Sequence, residues 1–330
     1  MFNRQKPTKG TKLRALLAVT LMSSLLAACG GDNGNSHVNG NNDGNGNSGG
    51  ETAQELVLTD AAGVEVTIPA GPQRVLASYL EDYLIALDVK PVAQWSVANG
   101  TLAYLSDELD GIPPIPYDLP LEVVNEMAPD FIILGDDTQA AEGKQTELAK
   151  IAPTYLLGSE TVKDWRQALT KIGELLQREE QAAAVLEAYD MQVAEAKAAI
   201  DAAAPGESAA ILWLVSQTFY LVDETVASGA VLYGDLGLRP PNLVTDIPVE
   251  NRASWNPISL EALAGMDADH IFLINSDGAD PEGLDTPIWD NLPAVQAGNV
   301  YEFTRETSWL YSGPIASQQT LSDTVERLAP

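Results

Sequence analysis

Cysteine is nearly absent from this chain: its 330 residues hold one, Cys29. No internal disulfide can form, so the compartment has to be read from other features. Histidine is almost as scarce. His37 and His270 are the only two, too few for a multi-histidine metal site. Basic residues number 18 against 47 acidic ones, for a formal charge of -29. Such a surface disfavours nucleic acid and anionic membrane. It also makes any arginine in a cleft more informative than usual. Catalytic signatures are missing too. No Gly-x-Ser-x-Gly stands between a strand and a helix as a nucleophile elbow must, and no His-Glu-x-x-His occurs. A Ser/His/Asp triad would have to use His270. A paired-carboxylate glycan hydrolase leaves no short motif and stays open as a different class.

What is present begins with a leader. Residues 1–29 carry Arg4, Lys6, Lys9, Lys12 and Arg14, then the apolar run Leu16–Leu26, too short for a comfortable membrane span. The run ends Leu26-Ala27-Ala28-Cys29, which matches the bacterial lipobox, in which the Cys is lipidated and becomes the new N-terminus. Cleavage would remove those five positive charges and take the chain from -29 to -34. Residues 30–52 are a Gly/Asn-rich tether reaching about 25 Å on average. Gly44-x-Gly46-x-x-Gly49 lies in it, but a dinucleotide fingerprint needs a strand before it and a helix after it, and neither is there.

From Leu56 the pattern alternates. Leu56–Thr59 and Val64–Ile68 flank Asp60-Ala61-Ala62-Gly63 as a hairpin, and strands are expected near 75–78, 91–95, 131–134 and 154–157. Short helices between them imply a mainly parallel sheet. Apolar residues then recur at helical spacing over 161–203, from Trp165, Leu169, Ile172 and Leu175 to Leu186, Tyr189, Val193, Ala196 and Ile200, with a break near Arg178. This is a spine. A partial repeat flanks it. Leu121-Glu122 precedes Met127, Asp130 and the run Phe131–Leu134; Leu260-Glu261 precedes Met266, Asp269 and the run Ile271–Ile274, at the same spacing. Strands are expected at 209–215, 218–222, 270–275 and 299–304, a Gly-bearing helical region at 226–236, a repeat helix from Pro257, and a closing amphipathic helix on Ile315, Leu321, Val325 and Leu328. The fold class is α/β: an N-terminal lobe at 53–160, the spine at 161–203 and a C-terminal lobe at 204–330.

Several stretches resemble the substrate-binding lipoproteins of bacterial iron-siderophore ABC importers, in a wider group that includes cobalamin and haem carriers. They are Leu58–Gly63 with Val66–Pro69, Pro72–Val75, Ala86–Val92, Ala128–Ile133, Asp235–Leu238 and Trp309–Pro314. Asp88 departs from the family's usual Gly at a turn. The resemblance implies two Rossmann-like lobes on a helical spine, with one ligand cleft and little closure. It implies capture of a ferric siderophore for a membrane permease, with cobalamin or haem as the alternative cargo. It implies no cofactor and no catalysis: iron would stay in the siderophore. A monomer anchored by lipid through Cys29, on the extracytoplasmic face of the cell membrane, is expected. Glu122 and Glu261 are carried over as the carboxylates that dock on permease arginines.

Ligands of α/β sheets sit at the carboxyl ends of strands. The loops expected there are 78–82, 95–101, 135–139, 216–218 and 304–311. Tyr79, Trp95, Trp213, Tyr220, Trp309 and Tyr311 are the candidate aromatic walls for a bulky chelate, with Trp255 ahead of the repeat helix as a further aromatic. Arg239, Arg252 and Arg305 are candidate partners for hydroxamate or carboxylate oxygens. The shortage of cations leans the reading towards hydroxamates over strongly anionic catecholates.

Overall fold

The computed structural model describes residues 54–330, Asn99, Ala279 and Asp280 excepted. The leader, the tether, Cys29 and His37 lie outside the described residues. The hairpin forms as β1 (Leu56–Thr59) and β2 (Glu65–Ile68). Asp60 closes its turn by accepting from the amides of Ala62 (2.9 Å) and Val64 (2.8 Å).

The first lobe continues with β3 (Val75–Leu76), β4 (Gln94–Ser96), β5 (Pro114–Pro116), β6 (Phe131–Leu134) and β7 (Thr154–Leu156). Its sheet is parallel, in the order β3-β6-β7. The stretch expected as a further sheet strand, 91–95, does not join it. Only the Val92 amide reaches Val75, and β4 pairs instead with β5 as a separate parallel ladder. The second lobe holds β8 (Ala209–Val215), β9 (Thr218–Val222), β10 (Trp255–Ile258), β11 (His270–Asn275) and β12 (Val300–Thr304), in the order β10-β9-β8-β11-β12. β8, β11 and β12 are parallel, whereas β8–β9 and β9–β10 pair antiparallel. The helix expected from Pro257 begins later, at Leu260, because 255–258 is the edge strand β10.

The repeat has a structural meaning. Asp130, ahead of β6, accepts from the amides of Gln73 (2.8 Å) and Arg74 (2.9 Å), where the chain approaches β3. Asp269, ahead of β11, accepts from the amide (2.8 Å) and hydroxyl (2.7 Å) of Ser208, where the chain approaches β8. Each aspartate ties the amino end of one parallel strand to its neighbour and so sets the register of the pair.

Two helices occupy the periodic stretch, Trp165–Leu176 and Glu179–Ala203. Gln177 breaks them in the left-handed region, at φ 55°. Gly173 allows them to pack closely: a Cβ there would meet the Ala182 Cβ at 2.8 Å. The longer helix, 25 residues and about 37 Å, connects the lobes. Asp235, from the Asp-Leu-Gly-Leu motif, pins it by accepting from Arg166 (3.0 Å) and from the Tyr189 hydroxyl (2.8 Å). One buried cluster runs from Val75 and Phe131 through Ile172 and Tyr189 to Ile211 and Phe272. The lobes therefore share a core.

A second tie is polar. Asp82 lies in the Glu81–Ala86 helix of the first lobe and is buried. Its carboxylate accepts from the amides of Ile315 (2.8 Å) and Ala316 (2.9 Å), the first turn of the C-terminal helix Pro314–Leu328, and from the Tyr104 hydroxyl (3.0 Å). A capping carboxylate from a distant segment meets the positive end of that helix. Gly313 leaves it room, since a Cβ there would lie 2.5 Å from the Asp82 Cγ. Asp82→Ala removes a cap and strands two helix amides and one phenol. A loss of about 2–4 kcal/mol is expected, read as a lower urea midpoint, with Asp82→Asn losing less.

Candidate ligand cleft

A cleft of about 220 Å³ opens between the lobes. The first lobe contributes Ser78, Tyr79, Tyr83, Tyr104, Asp136 and Gln139; the second contributes Ala227, Ser254, Trp255, Tyr311 and Ser312. Tyr79 is its central wall. Its backbone sits at φ 68°, a strained conformation for a bulky residue, and the residue is 47% exposed. That ring packs on Trp95 (5.0 Å between centroids) and edge-on to Tyr311 (6.3 Å). Tyr104 stacks on Tyr311 at 5.0 Å. Gln139 holds the floor: it donates to the Ser78 carbonyl (3.2 Å) and accepts from the Gly135 amide (2.7 Å). The Ser78 hydroxyl is buried and has no partner among the described residues.

The expected residues divide. Tyr79 and Tyr311 line the cleft. Trp95 does not line it but backs Tyr79. Trp213 and Tyr220 stand one layer behind: Trp213 packs on Trp255 at 5.6 Å and on Tyr220 at 5.5 Å, and its indole donates to Ser276 (2.9 Å). Trp309 is not a wall. It is fully buried, stacked on Phe303 (4.4 Å) and Phe272 (4.9 Å), with its indole N–H on Asp323 (2.9 Å). None of the three arginines lines the cleft. Arg239 lies beside the amino end of β8, bridged to Ser208 at the opposite edge from the expected loops, and donates to the Gly206 carbonyl (2.7 Å). Arg252 is committed to Glu224 and to the Ile247 carbonyl (2.9 Å). Arg305 is exposed and pairs with Glu306 at 3.3 Å; its charge still reaches Tyr311, whose phenol burial raises and Arg305 lowers.

The loop expected at 216–218 is also absent from the cleft. Ser216 and Gln217, at φ 50° and 63°, form a two-residue hairpin turn whose amides donate to Asp277 (2.6 and 2.7 Å). The second lobe instead presents the segments after β9 and before β10. Trp255, named with the candidate aromatics, does line the cleft; Tyr83, Tyr104 and Asp136 are among the lining residues missing from the candidate set. The loop 135–139 pointed to Asp136; nothing in the sequence singled out Tyr104.

His270 is buried at the start of β11, with Nε2 2.5 Å from Glu207 and Nδ1 3.2 Å from the Tyr301 hydroxyl. Neither contact is a serine, so no triad forms on it. Among the described residues no group of three or more His, Cys, Asp or Glu could hold a metal, and no helix is long and apolar enough to cross a membrane.

Beneath the aromatic wall lies an unusual acid. Glu81 is fully buried, with Oε1 accepting from the Trp95 amide (2.5 Å) and Oε2 unpartnered. Burial pushes its carboxyl up to about 7, against the lowering effect of the Trp95 amide. Burial likewise pushes Asp82 up to about 6. A folded-state pKa above the unfolded value means stability that is complete below about pH 4 and lost as pH rises towards 7. For Glu81 the loss amounts to roughly 3 kcal/mol. The melting temperature should therefore fall between pH 5 and 8, and Glu81→Gln should flatten that fall; an unchanged slope would show that Glu81 titrates as in the unfolded chain.

A ring-lined cleft between two α/β lobes on a helical connector is the architecture of a solute binder. The chain belongs to the periplasmic binding protein family, whose model matches residues 82–307. It is 28% identical over 323 residues to the iron(3+)-hydroxamate-binding protein FhuD of Bacillus subtilis, covering 96% of this chain and 98% of that one. It is 27% identical over 301 residues to the iron-uptake system-binding protein of the same organism, covering 88% and 90%. A solved FhuD fold-family structure from Bacillus subtilis, a periplasmic binding protein component of a ferrichrome ABC transporter, superposes with a TM-score of 0.71 at 26% identity, covering 82% of this chain and 99% of that one.

Proposed function

We propose that this chain is the extracytoplasmic solute-binding component of an ABC importer and that it carries a ferric siderophore, with hydroxamate chelates favoured. The observation that carries this reading is the cleft lining: tyrosine and tryptophan rings, hydroxyls and one amide, with no lysine or arginine among the described residues. Aromatic faces suit the organic shell of a chelate. Three singly charged hydroxamates cancel the charge of a ferric ion, so such a complex needs no basic basin, whereas three doubly charged catecholates leave a strongly anionic one. The relative named as a hydroxamate binder supports the same class. At about 220 Å³ the cleft seats only part of a large chelate. Iron enters as cargo, held by its chelator. A hydrolase reading is disfavoured, because among the described residues Asp136 is the only carboxylate in the lining and paired-carboxylate hydrolysis needs two.

The test is tryptophan fluorescence of the purified protein, titrated with ferric hydroxamate, ferric catecholate, ferric citrate, haem and cobalamin. Saturable quenching by the hydroxamate complex is expected. Tyr79→Ala and Trp255→Ala should each weaken binding about tenfold, about 1.4 kcal/mol, and Arg239→Ala should not change it. Response to haem or cobalamin alone would reassign the cargo.

We further propose that Cys29 carries a lipid anchor and that Glu122 and Glu261 dock on the permease. Both glutamates are exposed in the first turns of their helices, Leu121–Met127 and Leu260–Leu263. Each helix leads back to a strand of its lobe, so each carboxylate stands at the cleft-side end. Hydrogen bonds from its own amide and from Ser259 hold the Glu261 carboxyl below its usual range. One carboxylate per lobe offers a basic partner two fixed points. Glu122→Ala with Glu261→Ala should abolish uptake in cells while leaving chelate affinity within about twofold; equal loss of both would remove the docking role.

A further inference from the structure

Among the described residues, Asp136 is the one charged residue lining the cleft. It opens the loop after β6, and that loop fixes its orientation. Oδ1 accepts from the amides of Thr138 (3.0 Å) and Gln139 (3.1 Å) and from the Thr138 hydroxyl (2.6 Å). With that oxygen committed, the carboxylate is held in place without being neutralised. Oδ2 accepts no hydrogen bond among the described residues, and no lysine or arginine lies within ion-pair distance of Asp136 there. The group is half-buried, so a partner reaching it would be screened less than at the open surface. Its charge is felt at the neighbouring wall: burial first, then the charges of Tyr311, Glu81 and Asp136, raise the Tyr79 phenol.

A ferric trihydroxamate is neutral at its iron centre and gives this carboxylate nothing to pair with. A carboxylate facing a neutral cargo would be desolvated without return. The mismatch disappears if the cargo brings a cation of its own. A linear trihydroxamate with a free amine end is such a cation at neutral pH, and its ammonium can reach a rim carboxylate while the iron centre rests on the rings.

We propose that Asp136 is a specificity-determining residue, selecting among hydroxamate chelates the one that carries a protonated amine. This rests on the hydroxamate reading above and adds to it the feature of the chelate that is chosen. The second unsatisfied group in the lining, the Ser78 hydroxyl, fits a polar cargo in the same space.

The test uses two ferric complexes of one linear trihydroxamate, its terminal amine free or acetylated, titrated by tryptophan fluorescence into the purified protein. The free-amine complex should bind about three- to tenfold tighter at low salt, and the ratio should shrink in high salt. In Asp136→Asn the ratio should fall to about one, whatever happens to either affinity. Asparagine keeps the acceptor that Thr138 and Gln139 use, so the loop is expected to hold. The wild-type ratio and its salt dependence need no variant. A ratio of one on the wild-type protein, or a ratio that survives Asp136→Asn, overturns the selection and leaves the carrier reading standing. Binding of neither complex overturns the hydroxamate reading and this inference with it.

Discussion

The Asp82 carboxylate is the constraint on which the geometry of the cleft depends. It belongs to a helix of the first lobe, yet it satisfies the opening amides of the last helix of the chain and a tyrosine of the cleft wall. Three segments far apart in sequence are thereby held at one point. Tyr79 and Glu81 stand beside it in the chain, so the strained wall residue and the buried acid behind Trp95 inherit their positions from it. Replacing water with fixed amide donors around a buried carboxylate is costly unless the donors are already in place. Here they are the amides a helix leaves unpaired at its start.

The opposition between burial and pairing recurs through the molecule. Acidic residues outnumber basic ones heavily, and the structure spends its few arginines on the frame. Arg74 binds the carbonyls ahead of Asp130, Arg166 joins the spine to Asp235, and Arg252 holds Glu224. The cleft is left to rings, hydroxyls and an amide. On the reading proposed above, its selectivity comes from shape and from a single carboxylate rather than from a basic basin.

The lobes and the spine were legible in the sequence because their signals are local: alternation, helical periodicity, and a repeat whose aspartates each clamp a strand pair. The second-lobe side of the cleft was not. Ser216-Gln217 makes a tight hairpin without the glycine that usually marks one, so β9 turns straight back on β8 where a cleft loop was expected. That reversal puts Trp255 on the wall and Trp213 behind it. Trp309 sits in a family motif for packing reasons, between Phe272 and Phe303, and a motif does not say whether an aromatic faces inward. Tyr104 lies in a short 3-10 segment with no period to announce it. Arginine positions depend on which edge of the sheet a loop reaches, and composition does not carry that information.

The continuous core has a consequence for how such a carrier can change. Because apolar contacts pass without a gap from the first lobe through the spine to the second, neither lobe ends in a surface that could be transplanted. A chimaera joining one lobe to that of a relative would cut through interdigitated side chains, and close-packed interiors tolerate such mismatches poorly. On the proposed site, new cargo preferences in this architecture are reached through single replacements on the rim, at positions such as Tyr79 and Asp136, rather than by exchange of modules.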